Sequence, residues 1–309
     1  MTHELQQFSK ETPFCSGFVT LVGRPNAGKS SLINAVIGTK VAIISNTPQT
    51  TRHRFRAVYN NASYQLVLVD TPGIHKPHDA LGEELNHSAA KAFEAVDVIA
   101  FVLDASKPFG TGDEWVLHAI SRSPARKLLV ISKTDLVDAA TIEQQRVAAS
   151  AEFTFDATVA LSALTGAHVD EFITTASAFL PEGPRWFPLD TTTDQPLEVI
   201  IAEFIREKIL NATFDEVPHA VGVQVEELSF DKKRNLHSIY ATIFVERDSQ
   251  KGILIGHQGE KIKQVGTLAR KELDRFLDTR VYLDLRVKVR KGWRKDANQI
   301  RRFGYGEGA

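Results

Sequence analysis

Residues 23 to 30 read GRPNAGKS, and a stretch of this form leaves a chain few folds to choose from. It matches G-x-x-x-x-G-K-[ST], in which glycines let backbone N–H groups turn inward around phosphate oxygens. The run FVTLVG before it, Phe18–Gly23, is apolar and β-branched like a buried strand, and Ser30–Ile37 continues as helix. A strand turning through glycines into a helix aims the helix's positive end at an anion. Gly23, Arg24, Pro25, Asn26, Ala27, Gly28, Lys29, Ser30 and Ser31 are therefore assigned to nucleotide phosphates. Lys29 reaches the β- and γ-phosphates, and the Ser30 hydroxyl is a ligand for Mg²⁺. A plain strand–helix turn would not need the Lys-Ser ending.

The chain's first half keeps that rhythm. RFRAVYN and SYQLVLVD, joined through Asn60-Asn61, read as paired antiparallel strands. DVIAFVLD, KLLVISKTD and ATVALSA follow with amphipathic segments between them, which predicts an α/β domain with a mostly parallel sheet and helices on both faces. Three further motifs sit at strand ends. In DTPG, Asp70 can hold the Mg²⁺ shell, Thr71 and Pro72 form the turn, and Gly73 can offer its N–H to the γ-phosphate. In SKTD (Ser132, Lys133, Thr134, Asp135), Asp135 can accept two hydrogen bonds from guanine, Lys133 packs its stem on the base, and adenine lacks the matching donors. Ser162-Ala163 can present an N–H to guanine O6. The polar segment SNTPQTTRHR supplies a threonine for the metal, and spacing alone does not choose between Thr50 and Thr51. Singly these are weak signals; four in order, each at a strand's C-terminal end, define a GTP-binding site for GTP and GDP.

Two departures from the usual patterns carry expectations. SKTD begins with serine where asparagine is commoner, and the shorter hydroxyl is expected to brace the phosphate loop less. Ile74 follows DTPG where a water-orienting glutamine often stands, so intrinsic hydrolysis is expected to be slow. His53 and His75 are candidate bases, but a histidine in a switch segment is more often merely exposed.

Beyond Leu180 the pattern changes. PEGPRWFPLDTTTDQP reads as a linker. PLEVIIAEFIREKIL is an amphipathic helix, AVGVQVEELSF and HSIYATIFVER are β-like around a DKKRN turn, and VYLDLRVKVR is a strand. Ile262, Val265, Ala269, Leu273 and Phe276 give the helix before that strand a core stripe. ILIGHQGEKIKQVG holds a second glycine pair, but its GHQG lacks the Lys-Ser/Thr ending and cannot grip phosphates and metal as the first loop does. A G-x-x-G turn between helices, with lysines after it, instead suits the close approach of an RNA backbone. Gly256, His257, Gln258, Gly259, Lys261 and Lys263 are the candidate contacts, with Arg286 and Lys288 on the basic edge of the last strand.

Charge supports an anionic partner. From Lys251 onward there are 15 Lys and Arg against 7 Asp and Glu, leaving 22 against 31 in the rest of a chain whose net charge is −1. The one cysteine, Cys15, excludes a disulfide framework and a thiolate metal cluster. No secretory signal and no apolar run near the roughly 20 residues of a membrane span is visible, so the expected location is the cytoplasm. No dimer stripe is evident, and a monomer is expected.

The motif set resembles the translation-factor-related GTPases, in the branch around Era and the tRNA-modifying GTPase MnmE, over about residues 17–181. QTTRH at 49–53 is similar to the branch's switch I, which favours Thr51 as the metal ligand and implies catalytic roles for Lys29, Thr51 and Gly73. Asn26 is implied as a potassium ligand. The α-β-β-α-α-β order over Pro196–Arg290 resembles a type II KH domain, and KVRKGW resembles that domain's end in the Era family. The implied organisation is an extension (1–16), a G domain (17–181), a linker (182–195), an α+β KH domain (196–291) and a basic tail (292–309). The resemblance implies binding to the 3′ region of small-subunit (16S) ribosomal RNA and action on the 30S subunit. Two other readings stand beside it. One is an RNA-binding protein with structural nucleotide; the other is a GTPase held peripherally on anionic membrane by its basic tail.

Overall fold

Short runs of β-branched and large apolar residues, each ending in a polar turn, build the first sheet. The computed structural model describes residues 13–45, 47, 50–70, 81, 83, 96–214, 216–303 and 305. Within them lie β1 (Cys15–Val22), β2 (Phe55–Asn60), β3 (Tyr64–Asp70), β4 (Val98–Asp104), β5 (Arg126–Ser132) and β6 (Ala157–Ala160). Their order is β2-β3-β1-β4-β5-β6, with β2–β3 antiparallel and the other pairs parallel. The helices α1 (Lys29–Ile37), α2 (Thr111–Ile120), α3 (Ala139–Glu152) and α4 (Val169–Ser177) cover it. Strand β4 is buried along its whole length, and its alternating side chains feed two cores. Val98, Ala100 and Val102 join Leu32, Ile33 and Phe172 under α1 and α4, whereas Ile99, Phe101 and Leu103 join Val116 and Ile120 under α2. This is the α/β domain the alternation predicts, with its ligand crevice at the carboxyl ends of the strands.

The segment read as a linker is strapped to the sheet edge. The Gln65 side chain accepts from the N–H groups of Trp186 (2.7 Å) and Phe187 (3.0 Å) and donates to the Phe187 carbonyl (2.9 Å). Val58 N–H donates to Thr192 O at 2.9 Å, so the chain covers the open edge of β2.

The second half follows the α-β-β-α-α-β order, with one short helix added. Helix α5 (Leu197–Ala212) leads through α6 (Val217–Ala220) to the antiparallel pair β7 (Gly222–Asp231) and β8 (Leu236–Val245). Helices α7 (Asp248–Ile255) and α8 (Glu260–Phe276) precede β9 (Arg280–Val289), which lies parallel to β8. Val265, Ala269 and Leu273 of α8 are fully buried against Ile239 and Ile243.

Two features depart from the sequence reading. Helix α5, read as amphipathic, buries its polar residues too, because its second face meets the first domain: Glu203, Arg206 and Glu207 are all buried. The segment from residue 292, read as a basic tail, folds back through Trp293 and α9 (Ala297–Arg302). There Trp293, Ile300, Phe303 and Tyr305 pack with Phe244 of β8. Its charges made it look solvated, but its aromatic residues close a satellite core.

The Glu203–Arg206 pair should make the molecule acid-sensitive. Burial alone would push the Glu203 carboxyl up, but the Arg206 guanidinium, aided by His53, outweighs it and holds the group well below the carboxylate range. A carboxylate depressed by folding contributes stability above its unfolded pKa, near 4.5, and loses it as pH falls further. Denaturant midpoints should therefore drop between pH 6 and pH 3.5, and a Glu203→Gln variant should show a shallower drop.

Candidate functional site

The phosphate loop takes its shape from glycine. Gly23 stands at φ +151, and a Cβ there would meet the Val102 carbonyl oxygen at 2.3 Å, a backbone atom that cannot retreat. The loop delivers Lys29 at the start of α1, where its ammonium donates to Gly23 O (2.8 Å) and Arg24 O (2.9 Å). Burial lowers the Lys29 pKa to about 8, with Asp70 offsetting part of the fall. Pro25, Asn26, Gly28, Lys29, Ser30 and Ser31 line one side of a cleft; Ile43, Ile44, Ser45, Thr50 and Thr51 line the other, with Lys133 at the edge.

Three oxygens converge beside Lys29. Ser30 Oγ lies 3.1 Å from Thr51 Oγ1 and 3.2 Å from Asp70 Oδ2, and Thr51 Oγ1 lies 3.3 Å from the same carboxylate oxygen. Adjacent ligands around an octahedral Mg²⁺ stand roughly 3 Å apart, so the set fits a hard cation completed by nucleotide phosphates. Among the described residues no group of three His, Cys, Asp or Glu is placed to hold a metal ion. The geometry also separates the two threonines: the Thr50 hydroxyl donates to Thr47 O at 2.6 Å, away from the triangle. Thr71, Pro72 and Gly73, with Ile74 and His75, lie outside the described residues.

SKTD and Ser162 meet as expected. Asp135 Oδ1 accepts from Ser162 Oγ at 2.5 Å, and Thr134 N–H donates to Leu161 O, tying the turn after β5 to the loop after β6; Ala163 packs against the core beneath. Lys133, at φ 59, donates to Asp104 at 2.7 Å, which fixes its stem at the cleft. Ser132, read as a weaker brace than asparagine, does reach the phosphate loop: its hydroxyl donates to the Ala27 carbonyl at 2.6 Å and lies 3.1 Å from Leu103 O. The loop comes close enough to β5 for a short side chain to span the gap, since even a Cβ on Gly28 would lie 3.5 Å from Ser132 Oγ. His53 is not an exposed switch histidine; it is buried, 3.5 Å from Glu203 and edge-on to Tyr305.

The second glycine loop lies between α7 and α8. Gly256, at φ +74, ends α7, and a Cβ on it would stand 2.8 Å from Lys261 Cβ and 3.0 Å from Lys261 N. Gly259 is the N-cap of the 17-residue α8, whose first turns carry Lys261 and Lys263, and His257 and Gln258 are exposed between the glycines. Arg286 and Lys288 stand elsewhere. The odd residues of β9 pack toward α7 and α8, so these two take the sheet's opposite face, with Arg286 3.4 Å from Asp284.

The sequence reading passed over the residues joining the halves. Arg206 forms two hydrogen bonds with Glu203 (2.8 and 2.6 Å) and also donates to Thr50 O. Arg52 donates to Val221 O (2.6 Å) and His219 O (3.0 Å). Lys40 pairs with Glu207 at 2.7 Å and with Glu272. The available signal was a Glu and an Arg three residues apart inside the apolar run IIAEFIREKIL, because such charges are tolerated in a core only as a pair.

Fold and site together define a phosphate-loop GTPase domain joined to a KH domain. Models of the 50S ribosome-binding GTPase and of the KH domain match residues 18–133 and 216–294. The chain is 46% identical over 299 residues to the GTPase Era of Mycobacterium tuberculosis H37Rv, covering 95% of this chain and all of that one, and 45% identical to that of Mycolicibacterium paratuberculosis. The chain belongs to the GTPase Era family. Two solved structures superpose with a TM-score of 0.91 at 37% identity, covering 95% of this chain and 99–100% of theirs. One is an Aquifex aeolicus Era variant bound to GDP·AlF4⁻; the other is Era with MgGDPNP and nucleotides 1506–1542 of 16S ribosomal RNA.

Proposed function

We propose that this GTPase is a cytoplasmic, monomeric switch that binds the 3′ region of 16S ribosomal RNA during assembly of the 30S subunit. In this reading Lys29 neutralises the β- and γ-phosphates while Ser30, Thr51 and Asp70 hold Mg²⁺, with Gly73 as the γ-phosphate donor. Bound Mg²⁺ supplies charge neutralisation on the transferring phosphoryl group. Asp135 reads guanine, supported by Ser162; Asn26, at φ 63 on the cleft wall, is the candidate potassium ligand. Residues 256–263 grip the RNA backbone. Arg286 and Lys288, on the far sheet face, are assigned a lesser part.

One observation carries the coupling: the segment presenting Thr51 to the metal site is held on both sides by the RNA-binding half. A ligand that orders this segment must favour one placement of the second domain. Filter binding of an RNA matching that 3′ region should therefore give tighter association with protein loaded with GTP analogue than with GDP. Equal affinities would remove the coupling. Replacing Lys261 and Lys263 together should weaken binding and flatten its salt dependence.

A further inference from the structure

Three features fall outside the site as described. A cleft between the halves is lined by Lys40, Phe204, Phe214, Leu268, Lys271 and Arg275, but nothing shows what would fill it. The outer face of the KH sheet carries Tyr240 edge-on to Tyr282, with Arg286 paired to Asp284 beside them, but nothing shows what would cover it. The buried cluster around Arg52 and Arg206 carries an argument through.

Among the described residues of its segment, Thr51 puts its side chain into the oxygen triangle with Ser30 and Asp70, while the Thr50 carbonyl and the Arg52 side chain meet the second domain. The Thr50 carbonyl accepts from Arg206, which has no exposed surface and is locked by Glu203. The Arg52 guanidinium, 1% exposed, donates to the carbonyls of His219 and Val221 and lies 5.4 Å from the Tyr305 ring and 5.8 Å from the Trp293 ring. Trp293 is itself pinned by its indole N–H to Ala220 O at 2.9 Å. His53 meets Tyr305 at 4.8 Å between ring centroids, and Ile43, at the other end of the segment, belongs to the second domain's core.

We infer that Arg206 and Arg52 are positioning residues for Thr51, acting through the main chain on either side of it, with the 293–305 segment as the wall of their seat. Among the described residues, the hydrogen-bond acceptors of the Arg52 guanidinium are the carbonyls of Pro218, His219 and Val221, in the second domain. Swinging that domain away would strip a buried cation of them, a change that proceeds as an all-or-none step rather than a gradual one. Thr51 in the metal triangle and the second domain in its docked place are thus two faces of one state. By linkage, a partner that favours the docked placement raises affinity for GTP over GDP. The inference rests on the reading of Thr51 as a ligand in the GTP-bound metal shell.

The test uses the full chain carrying Arg206→Gln, Arg206→Lys or Tyr305→Leu. Affinities for GDP and for a non-hydrolysable GTP analogue are measured with Mg²⁺ present, together with kcat and KM. The ratio of GTP-analogue to GDP affinity should fall about tenfold in Arg206→Gln, a typical coupling between sites, with GDP affinity unchanged. Arg206→Lys, which keeps the charge and a donor for Thr50 O, should recover part of the loss, and Tyr305→Leu should show a smaller fall. The kcat should drop with the ratio. A Thr51→Ala variant should lose the same preference, and adding Arg206→Gln to it should lose no more. An unchanged ratio, or losses that simply add, would overturn the inference. Unchanged GDP affinity certifies folding, and if Arg206→Gln does not fold, Tyr305→Leu decides alone. The RNA comparison on unmodified protein tests the functional reading separately: equal RNA affinities would sink that reading and leave the ratio untouched.

Discussion

Lys29→Ala should reduce kcat/KM for GTP by on the order of 10³-fold, about 4 kcal/mol of lost transition-state stabilisation. The lysine is the cation that the phosphate loop encloses, and the neighbouring Ser30, Thr51 and Asp70 oxygens cannot replace a donor to the γ-phosphate. Loss of function and loss of fold separate cleanly here. Removing the ammonium relieves a buried charge but also takes away its bonds to Gly23 O and Arg24 O, so the melting temperature of nucleotide-free protein should change little. Added GTP at a hundredfold excess over Kd stabilises wild type by about 2.7 kcal/mol. The variant should gain little, and turnover near the wild-type rate would remove Lys29 from the mechanism.

Trp293→Ala should destabilise the second domain by about 3–5 kcal/mol, the usual cost of emptying a large aromatic site in a core. The indole has no solvent exposure and packs against Phe303 (5.0 Å between centroids) and Tyr305 (5.9 Å). Its N–H satisfies the Ala220 carbonyl, which the truncation would strand. Trp293→Phe keeps much of the apolar contact and loses only the donor, so it should cost about 1–2 kcal/mol. Denaturant unfolding followed by circular dichroism checks both. A loss under 1 kcal/mol for the alanine variant would return the segment from residue 292 to the status of an appended tail.

The nucleotide half was legible because its chemistry is local. GRPNAGKS contains its own turn, its own lysine and its own hydroxyl, and strand periodicity sets Asp70 and Ser132 at the same edge of the sheet. The second domain's core was legible for the same reason, since Val265, Ala269 and Leu273 recur at helical spacing. That the Ser132 hydroxyl reaches the Ala27 carbonyl was not legible, because the distance between loop and strand is a tertiary quantity.

The sequence by itself determined the alternation of strands and helices in each half, the phosphate loop, and the glycine loop between two helices. Each follows from residues close along the chain, where spacing and turn chemistry act directly. Only the tertiary structure decided that the Thr51 hydroxyl meets Ser30 and Asp70 while that of Thr50 turns away, that the middle of α5 is buried all round, and that the C-terminal aromatics wall in Arg52. Those outcomes depend on groups up to some 250 residues apart in sequence meeting at one interface, as Arg52 and Tyr305 do. There the choice between exposure and burial of a charge turns on whether a partner is already in place.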